Sequence, residues 1–371
     1  MVIGMEVRID PWDYRLIQEY DKLFTIFGIQ PIDNIPRREL LKHHFFTRRI
    51  IFGHRDFDKW LEALGKGEKV IVLTGFMPSG TPHLGTAMVF EELKYFQSIG
   101  AYVKIVIADA EAYAVRREDR DLTIRFGLEF IKHALAWGLN PEKAEFYFQT
   151  AMSEAYYRLI QMFSRKITMA EMEAIYGDLS PAKVVSALTQ VADILHPELE
   201  EFGGFKHVLV PVGVDQDPHL RLARDVADRF EGELGLTRPS STYHKLLRGL
   251  DGNKMSKSRP DFAIFLDESE EAIRKKIAMA LTGGRATAEE QRKLGGEPWK
   301  CMVFELYTYF LLNDKELNEL REECVKGRIL CGECKRIAIE KLVERIREHK
   351  KRYMEINENL AIDRIVKKPS F

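Results

Sequence analysis

The sequence predicts an α/β fold: a parallel sheet covered on both faces, interrupted by a helical insertion and followed by an all-helical segment. Three observations predict it. Short, almost wholly apolar runs alternate with helical periodicity between residues 70 and 212. The alternation breaks off over residues 150–200, and beyond Ser269 only helical periodicity remains. Near-continuous apolarity in short runs suits strands buried on both faces, and strand–helix–strand alternation makes them parallel.

Residues 1–65 read as an irregular, basic, partly helical N-terminal extension. Six Lys/Arg (Arg37, Arg38, Lys42, Arg48, Arg49, Arg55) stand there among His43, His44 and His54. Such charge can face phosphates or simply water. Val70–Thr74 is the first strand, ended by Gly75, and Tyr102–Ala108, Glu145–Gln149 and His207–Val212 repeat the pattern. Leu84, Met88, Val89, Leu93 and Phe96 recur at helical spacing, as do Ile124, Leu128, Ile131 and Leu135. A sheet domain over 66–268 thus carries its insertion at about 150–200, where Met152, Met162, Met169 and Met172 fall. Over 269–371, stripes such as Ile273/Ile277/Leu281 and Ile339/Leu342/Val343/Ile346 give helices, with Gly283-Gly284 and Gly295-Gly296 as turns.

Composition bounds the function. At 371 residues, 45% hydrophobic and 30% charged, the chain suits two or three folded domains and excludes a disordered tail. Lys plus Arg is 56 and Asp plus Glu is 57, so only local patches can attract nucleic acid. One such patch is the tail, with nine Lys/Arg against five Asp/Glu over 341–371. Four cysteines make no disulfide framework and suit a reducing compartment. The first residues turn acidic before any apolar stretch, so no secretory leader is expected, and no apolar run is long enough for a bilayer. Cys301, Cys324, Cys331 and Cys334 are irregularly spaced for a tetrahedral site. Ordinary thiols are the favoured reading, with structural zinc or a disulfide as alternatives.

Two segments carry the chemistry. Thr74–Thr86 links the first strand to its helix and holds Gly75, Gly80 and Gly85, with His83 at the helix entrance. Glycines let backbone approach a ligand, and helix N-termini attract phosphate. It is neither a GxGxxG nor a GxxxxGK[ST] loop. Gly252–Pro260 places Lys254 and Lys257 around Met255 and Ser256, with Ser258 next, in a cationic loop able to close on a polyphosphate. Alone, His83 is an ordinary cap residue and the lysines a solvated turn.

Together, PSGxxHxG (Pro78–Gly85) and KMSKS (Lys254–Ser258) resemble the two signatures of the class I aminoacyl-tRNA synthetases. Ile107–Tyr113, Gln190–Leu195 and Val210–His219 are similar to the tyrosyl and tryptophanyl branch. Tyrosine enzymes carry a Tyr two residues before the first glycine, and here Leu73 stands there, apolar and suited to an indole. Leu281–Arg285, Glu290–Arg292 and Asp215–Ala227 resemble the tryptophanyl-tRNA synthetases of archaea and eukaryotes, and the likeness runs from about 45 to 355.

The resemblance implies a Rossmann-like doubly wound parallel sheet and, over 269–371, a helical anticodon-binding domain whose last helix packs back on the catalytic domain. It implies ATP and Mg²⁺, tryptophan, tRNA(Trp), a homodimer through the insertion and a cytoplasmic, membrane-free setting. His83, Thr86, Lys254 and Lys257 would hold phosphates and carry catalysis. Gly75, Gly85, Gly213 and Asp215 would take the nucleotide, Asp215 at the ribose, with Met255, Ser256 and Ser258 completing the loop. Glu111, Gln190 and Gln216 would bind the ammonium group, and Leu73 and Asp193 the indole. No protein-bound metal is implied. Two departures stand out: Thr86 replaces the usual His, and Leu73 and Val106 replace the Tyr and Gln with which eukaryotic relatives read the indole. Tyrosyl specificity, a non-catalytic tRNA-binding relative and a small-molecule nucleotidyltransferase are the alternatives.

Overall fold

The structure, a computed structural model, describes residues 24, 27–36, 41–356 and 366–367. Arg37 and Arg38, the first part of the leader and part of the basic tail lie outside the described residues.

Strands Gln30–Pro31 (β1), Ile51–Arg55 (β2), Val70–Phe76 (β3), Tyr102–Ile107 (β4), Ala144–Phe148 (β5), His207–Gly213 (β6), Ser240–His244 (β7) and Val366–Lys367 (β8) form one sheet. Their order is β1-β2-β7-β6-β3-β4-β5-β8. The pairs from β7 through to β8 are all parallel, and β1 and β2 add on antiparallel. The chain winds outward from β3 through β4 to β5, then returns to β6 on the other side of β3. The sheet is doubly wound, and its direction reverses between β3 and β6.

Alternate side chains of these strands enter two cores. Val70, Val72, Val103, Ile105, Phe146, Phe148 and Leu209 face one. Ile71, Leu73, Val106, Tyr147, Val208 and Val210 face the other, with the insertion helices Glu154–Ser164, Met169–Tyr176 and Pro181–Leu195. Local chemistry sets the helix ends. The Asp119 carboxylate accepts the Leu122 N–H at 2.9 Å, Thr168 and Glu171 form a capping box, and Ser180 precedes Pro181 at the first turn. Met152 and Met172 are core residues, whereas Met169 is exposed. Among the described residues no helix is long and apolar enough to cross a membrane.

The sheet reaches into the segment read as an extension. β2 pairs with β7, and the helix Phe57–Gly65 buries Phe57, Trp60 and Leu61. Nor is the basic patch merely solvated. Arg48 bonds the Thr308 and Leu312 carbonyls and Asp314 at 2.5–2.7 Å, tying this segment to the C-terminal helices. Those helices have no separate core: Ile273, Ile277, Leu306, Tyr307, Leu342 and Ile346 merge with one face of the sheet. The long helix Cys331–Glu355 lies on Arg120–Trp137, where the His133 and His349 rings meet at 2.9 Å.

Arg55 closes the sheet edge. It reaches both oxygens of fully buried Asp217, at 3.0 and 3.3 Å, and Asp217 also accepts the Tyr243 hydroxyl at 2.5 Å. Removing one partner of a buried ion pair strands the other charge. Arg55→Ala should therefore lose about 3 kcal/mol of stability in guanidinium unfolding. Tyr243→Phe, which removes one hydrogen bond, should lose about 1–2 kcal/mol in the same measurement.

Candidate active site

Where β3 and β6 part, their carboxyl ends open a cavity of about 760 Å³. Open α/β sheets bind ligands at such a switch point. Every residue the sequence singled out for phosphate, nucleotide, ammonium and ring lines this one cavity.

At the phosphate end, the two motif segments are stitched together. Leu84 donates its N–H to the Ile264 carbonyl and Leu266 donates to that of Pro82, both at 2.9 Å. His83 thereby opens the helix Leu84–Ser98 directly against the strap that follows the lysine loop. Lys257 donates to the Gly80 carbonyl at 2.7 Å and reaches Ser79 Oγ at 3.4 Å. Lys254 pairs with Asp215 at 3.1 Å. Burial pulls Lys257 down to about 8. Burial, then the charges of Lys257 and Lys254, holds the His83 imidazole at about 3, so the ring is neutral at physiological pH.

The glycines here answer to their neighbours. A Cβ on Gly85 would stand 2.9 Å from the His83 ring, and one on Gly213 would collide with the Asp215 carboxylate. Gly75 is different: the nearest protein atom to such a Cβ is Val106 Cβ at 3.5 Å, an ordinary contact. Its bare backbone faces the cavity, open to a flat ligand. Thr86 is half-buried in the first turn of the helix, its N–H bonded to the His83 carbonyl at 2.8 Å. In the loop, Met255 is buried and donates to the Leu247 carbonyl at 3.0 Å, while the Ser256 and Ser258 hydroxyls meet at 2.9 Å.

The other end lies under the insertion. Gln190 donates to the Glu111 carboxylate at 2.7 Å, and Gln216 lies beside Asp215 at 3.4 Å. Leu73 and Val106 form an apolar floor on the same sheet face. Asp193 is buried and already accepts three bonds: from the hydroxyls of Tyr147 (2.7 Å) and Tyr156 (2.5 Å), and from the amide of Gln149 (2.7 Å). Burial raises its carboxyl to about 7 against those hydrogen bonds. A carboxylate offers about four acceptor positions, so one remains.

Sequence reasoning missed Gln149, Tyr147 and Tyr156. Gln149 also takes the Glu111 N–H at 3.4 Å, which links the Asp193 group to the ammonium group. The available signal was position: Tyr147 and Gln149 lie two apart at the carboxyl end of a strand and so share a face. The buried Tyr176–His219 pair (2.9 Å) was missed as well, and His219 reaches the cavity wall.

This geometry places a neutral hydrogen-bond donor, two lysines and free backbone at one end of a cavity, and carboxylates over an apolar floor at the other. Comparison with known proteins agrees with it. Residues 65–347 match the family described as tRNA synthetases class I (W and Y). A protein of Hyperthermus butylicus named tryptophan–tRNA ligase is 54% identical over 352 residues, 93% of this chain and 94% of that one. The crystal structure of tryptophanyl-tRNA synthetase from Aeropyrum pernix superposes with a TM-score of 0.91 at 52% identity, covering 96% of this chain and 98% of that one. A tryptophanyl-tRNA synthetase from Encephalitozoon cuniculi, bound to tryptophan, gives 0.82 at 30% identity, covering 93% and 97%. The chain belongs to the class I tRNA synthetases of the W and Y family, beside its archaeal tryptophanyl members.

Proposed function

We propose that this chain activates L-tryptophan with ATP and transfers it to tRNA(Trp). In the first step the tryptophan carboxylate attacks the α-phosphorus and pyrophosphate leaves. In the second a terminal ribose hydroxyl of the tRNA attacks the acyl carbon and AMP leaves. The observation that carries this reading is the single cavity running from Lys254 and Lys257 to Leu73 and Asp193. It can hold a triphosphate and an indole at once.

No side-chain nucleophile is needed, because the substrate supplies one, so catalysis rests on position and electrostatics. Gly75 and Gly85 leave room for the nucleotide, and Gly213 aims Asp215 toward the ribose. His83, being neutral, donates a hydrogen bond without adding charge, and Thr86 adds its hydroxyl. Lys257 exchanges the Gly80 carbonyl, and Lys254 exchanges Asp215, for phosphate oxygens. Met255, buried, anchors the loop that carries both lysines, Ser256 and Ser258. Glu111 with Gln190 and Gln216 takes the ammonium group. Asp193, oriented by its three donors, gives its remaining lone pair to the indole N–H above Leu73. Mg²⁺ would arrive on the triphosphate: the wall there offers lysines, hydroxyls and an Asp215 already paired, so phosphate and water oxygens supply its ligands.

The 269–371 segment takes the anticodon on this reading. Between 279 and 299 it exposes Met279, Leu281, Leu294 and Trp299, apolar side chains against which splayed bases can stack. The insertion is the proposed dimer face, where Tyr157, Met169 and Val185 are exposed on three different helices. A cytoplasmic setting completes the proposal.

Three outcomes test it. Asp193→Asn should raise the KM for tryptophan about tenfold or more in tryptophan-dependent pyrophosphate exchange, with the KM for ATP unchanged, because a buried N–H loses its charged partner. Exchange driven by tyrosine instead would refute the specificity. Lys257 loses its proton as pH rises through about 8. The kcat/KM for ATP should therefore fall above that pH, and Lys257→Arg should remove the fall because a guanidinium keeps its charge. Trp299→Ala should cut tRNA charging about tenfold while leaving pyrophosphate exchange intact.

A further inference from the structure

A buried carboxylate and an imidazole meet beside the active-site cavity, outside the machinery of the proposed reaction. Glu92 lies midway along the helix Leu84–Ser98, its side chain fully buried. Burying a carboxylate is costly unless another polar group meets it. One group does. His244 Nδ1 stands 2.8 Å from Glu92 Oε2, and no other protein group bonds either carboxylate oxygen among the described residues.

Placement gives the pair a direction. Gly85, Val89 and Glu92 recur at helical spacing and share one face of their helix. Gly85 and Val89 line the cavity, whereas Glu92 lies deeper and does not. His244 ends β7 directly beside Gly213 in the parallel register, and Asp215 follows Gly213 closely. The ring is buried, yet it lines the cavity with Gly213, Leu247 and Met255. Its backbone is pinned, because the next residue, Lys245, donates its N–H to the Ile50 carbonyl at 2.8 Å. The imidazole thus stands between the carboxylate and the cavity.

A carboxylate held against Nδ1 keeps the proton on that nitrogen and fixes the plane of the ring. Nε2 then presents a lone pair to the cavity, an acceptor rather than a donor. With Asp215 at the ribose and the lysines at the phosphates, the group one glycosidic bond from the ribose is the base. Adenine carries an amino group at C6, whereas hypoxanthine and guanine carry a carbonyl oxygen there. An acceptor pairs with the amino N–H and meets the carbonyl lone pair against lone pair. We propose that His244 is a specificity-determining residue that selects adenine through its 6-amino group, and that Glu92 is its positioning residue. The inference rests on the adenylation reading and adds to it the means by which the base is chosen.

Tryptophan-dependent pyrophosphate exchange of the full-length protein, run with ATP and with ITP, decides the matter. In the unaltered protein kcat/KM should favour ATP about 100-fold or more, and in His244→Ala the ratio should fall below about 5. Glu92→Gln, whose amide donates to Nδ1 and moves the ring proton to Nε2, should lower the ratio about tenfold or more. Lost packing alone would slow both nucleotides alike and leave the ratio where it was. Should these variants fail to fold, purine riboside triphosphate keeps the test open in the unaltered protein. It deletes the amino group and adds no oxygen, so it should exchange about tenfold less efficiently than ATP. Parity of that analogue with ATP, or an ATP to ITP ratio that His244→Ala and Glu92→Gln leave unchanged, overturns the assignment while the adenylation reading stands. Exchange with none of the three nucleotides would remove both.

Discussion

Two backbone hydrogen bonds, Leu84 to Ile264 and Leu266 to Pro82, hold the phosphate end of this molecule together. They join segments about 180 residues apart, and each contributes only about 1 kcal/mol net. Their value is positional. The loop bearing Lys254 and Lys257 is fixed at its start by Met255 on Leu247 and further on by Leu250 on Phe262. The strap beyond it is fixed to the helix entrance at His83. The groups proposed to act on one triphosphate are thus set before it arrives, which is what electrostatic catalysis requires. The neutrality of His83 follows from the same closeness, since burial and two ammonium groups together disfavour a third positive charge.

The sheet divides the labour. One face carries the insertion and, between it and Leu73, Val106 and Tyr147, the amino-acid end of the cavity. The other face shares a continuous core with the C-terminal helices. The Asp193 group sits on the first face, its carboxyl raised to about 7 by burial and held in place by three donors. On the second face, Arg48 and the His133–His349 contact weld helices to sheet, so the C-terminal part is not a loosely tethered module.

The parallel strands and both motif segments were legible because each is a local pattern. β7 was not: Ser240–His244 has no apolar run, yet all five residues are buried. Ser240 and Tyr243 find partners only in three dimensions, on the Asp56 carbonyl at 2.8 Å and the Asp217 carboxylate at 2.5 Å. β2 was hidden by Gly53 and His54, and by arginines that read as surface charge but serve as ties. Of the Asp193 donors, Tyr147 ends β5, Gln149 follows it, and Tyr156 comes from the insertion helix Glu154–Ser164, which no spacing rule links to the strand. The cysteines, irregular in spacing, are brought to one cavity by the ends of three helices, and none of them is disulfide-bonded.

Thr86 is where sequence and structure bear on each other most directly. Thr86 sits one turn from the His83 ring, which burial and two lysines hold at about 3. A hydroxyl in place of an imidazole there is a hydrogen-bond donor of shorter reach. On the proposed mechanism, the charge that counters the leaving pyrophosphate comes from Lys254 and Lys257. Both now rest on oxygens of the protein, the Asp215 carboxylate and the Gly80 carbonyl. On the same proposal, phosphate oxygens replace those partners like for like. Under that proposal the phosphate end tolerates threonine at the helix entrance, because its main electrostatic contribution lies in the loop.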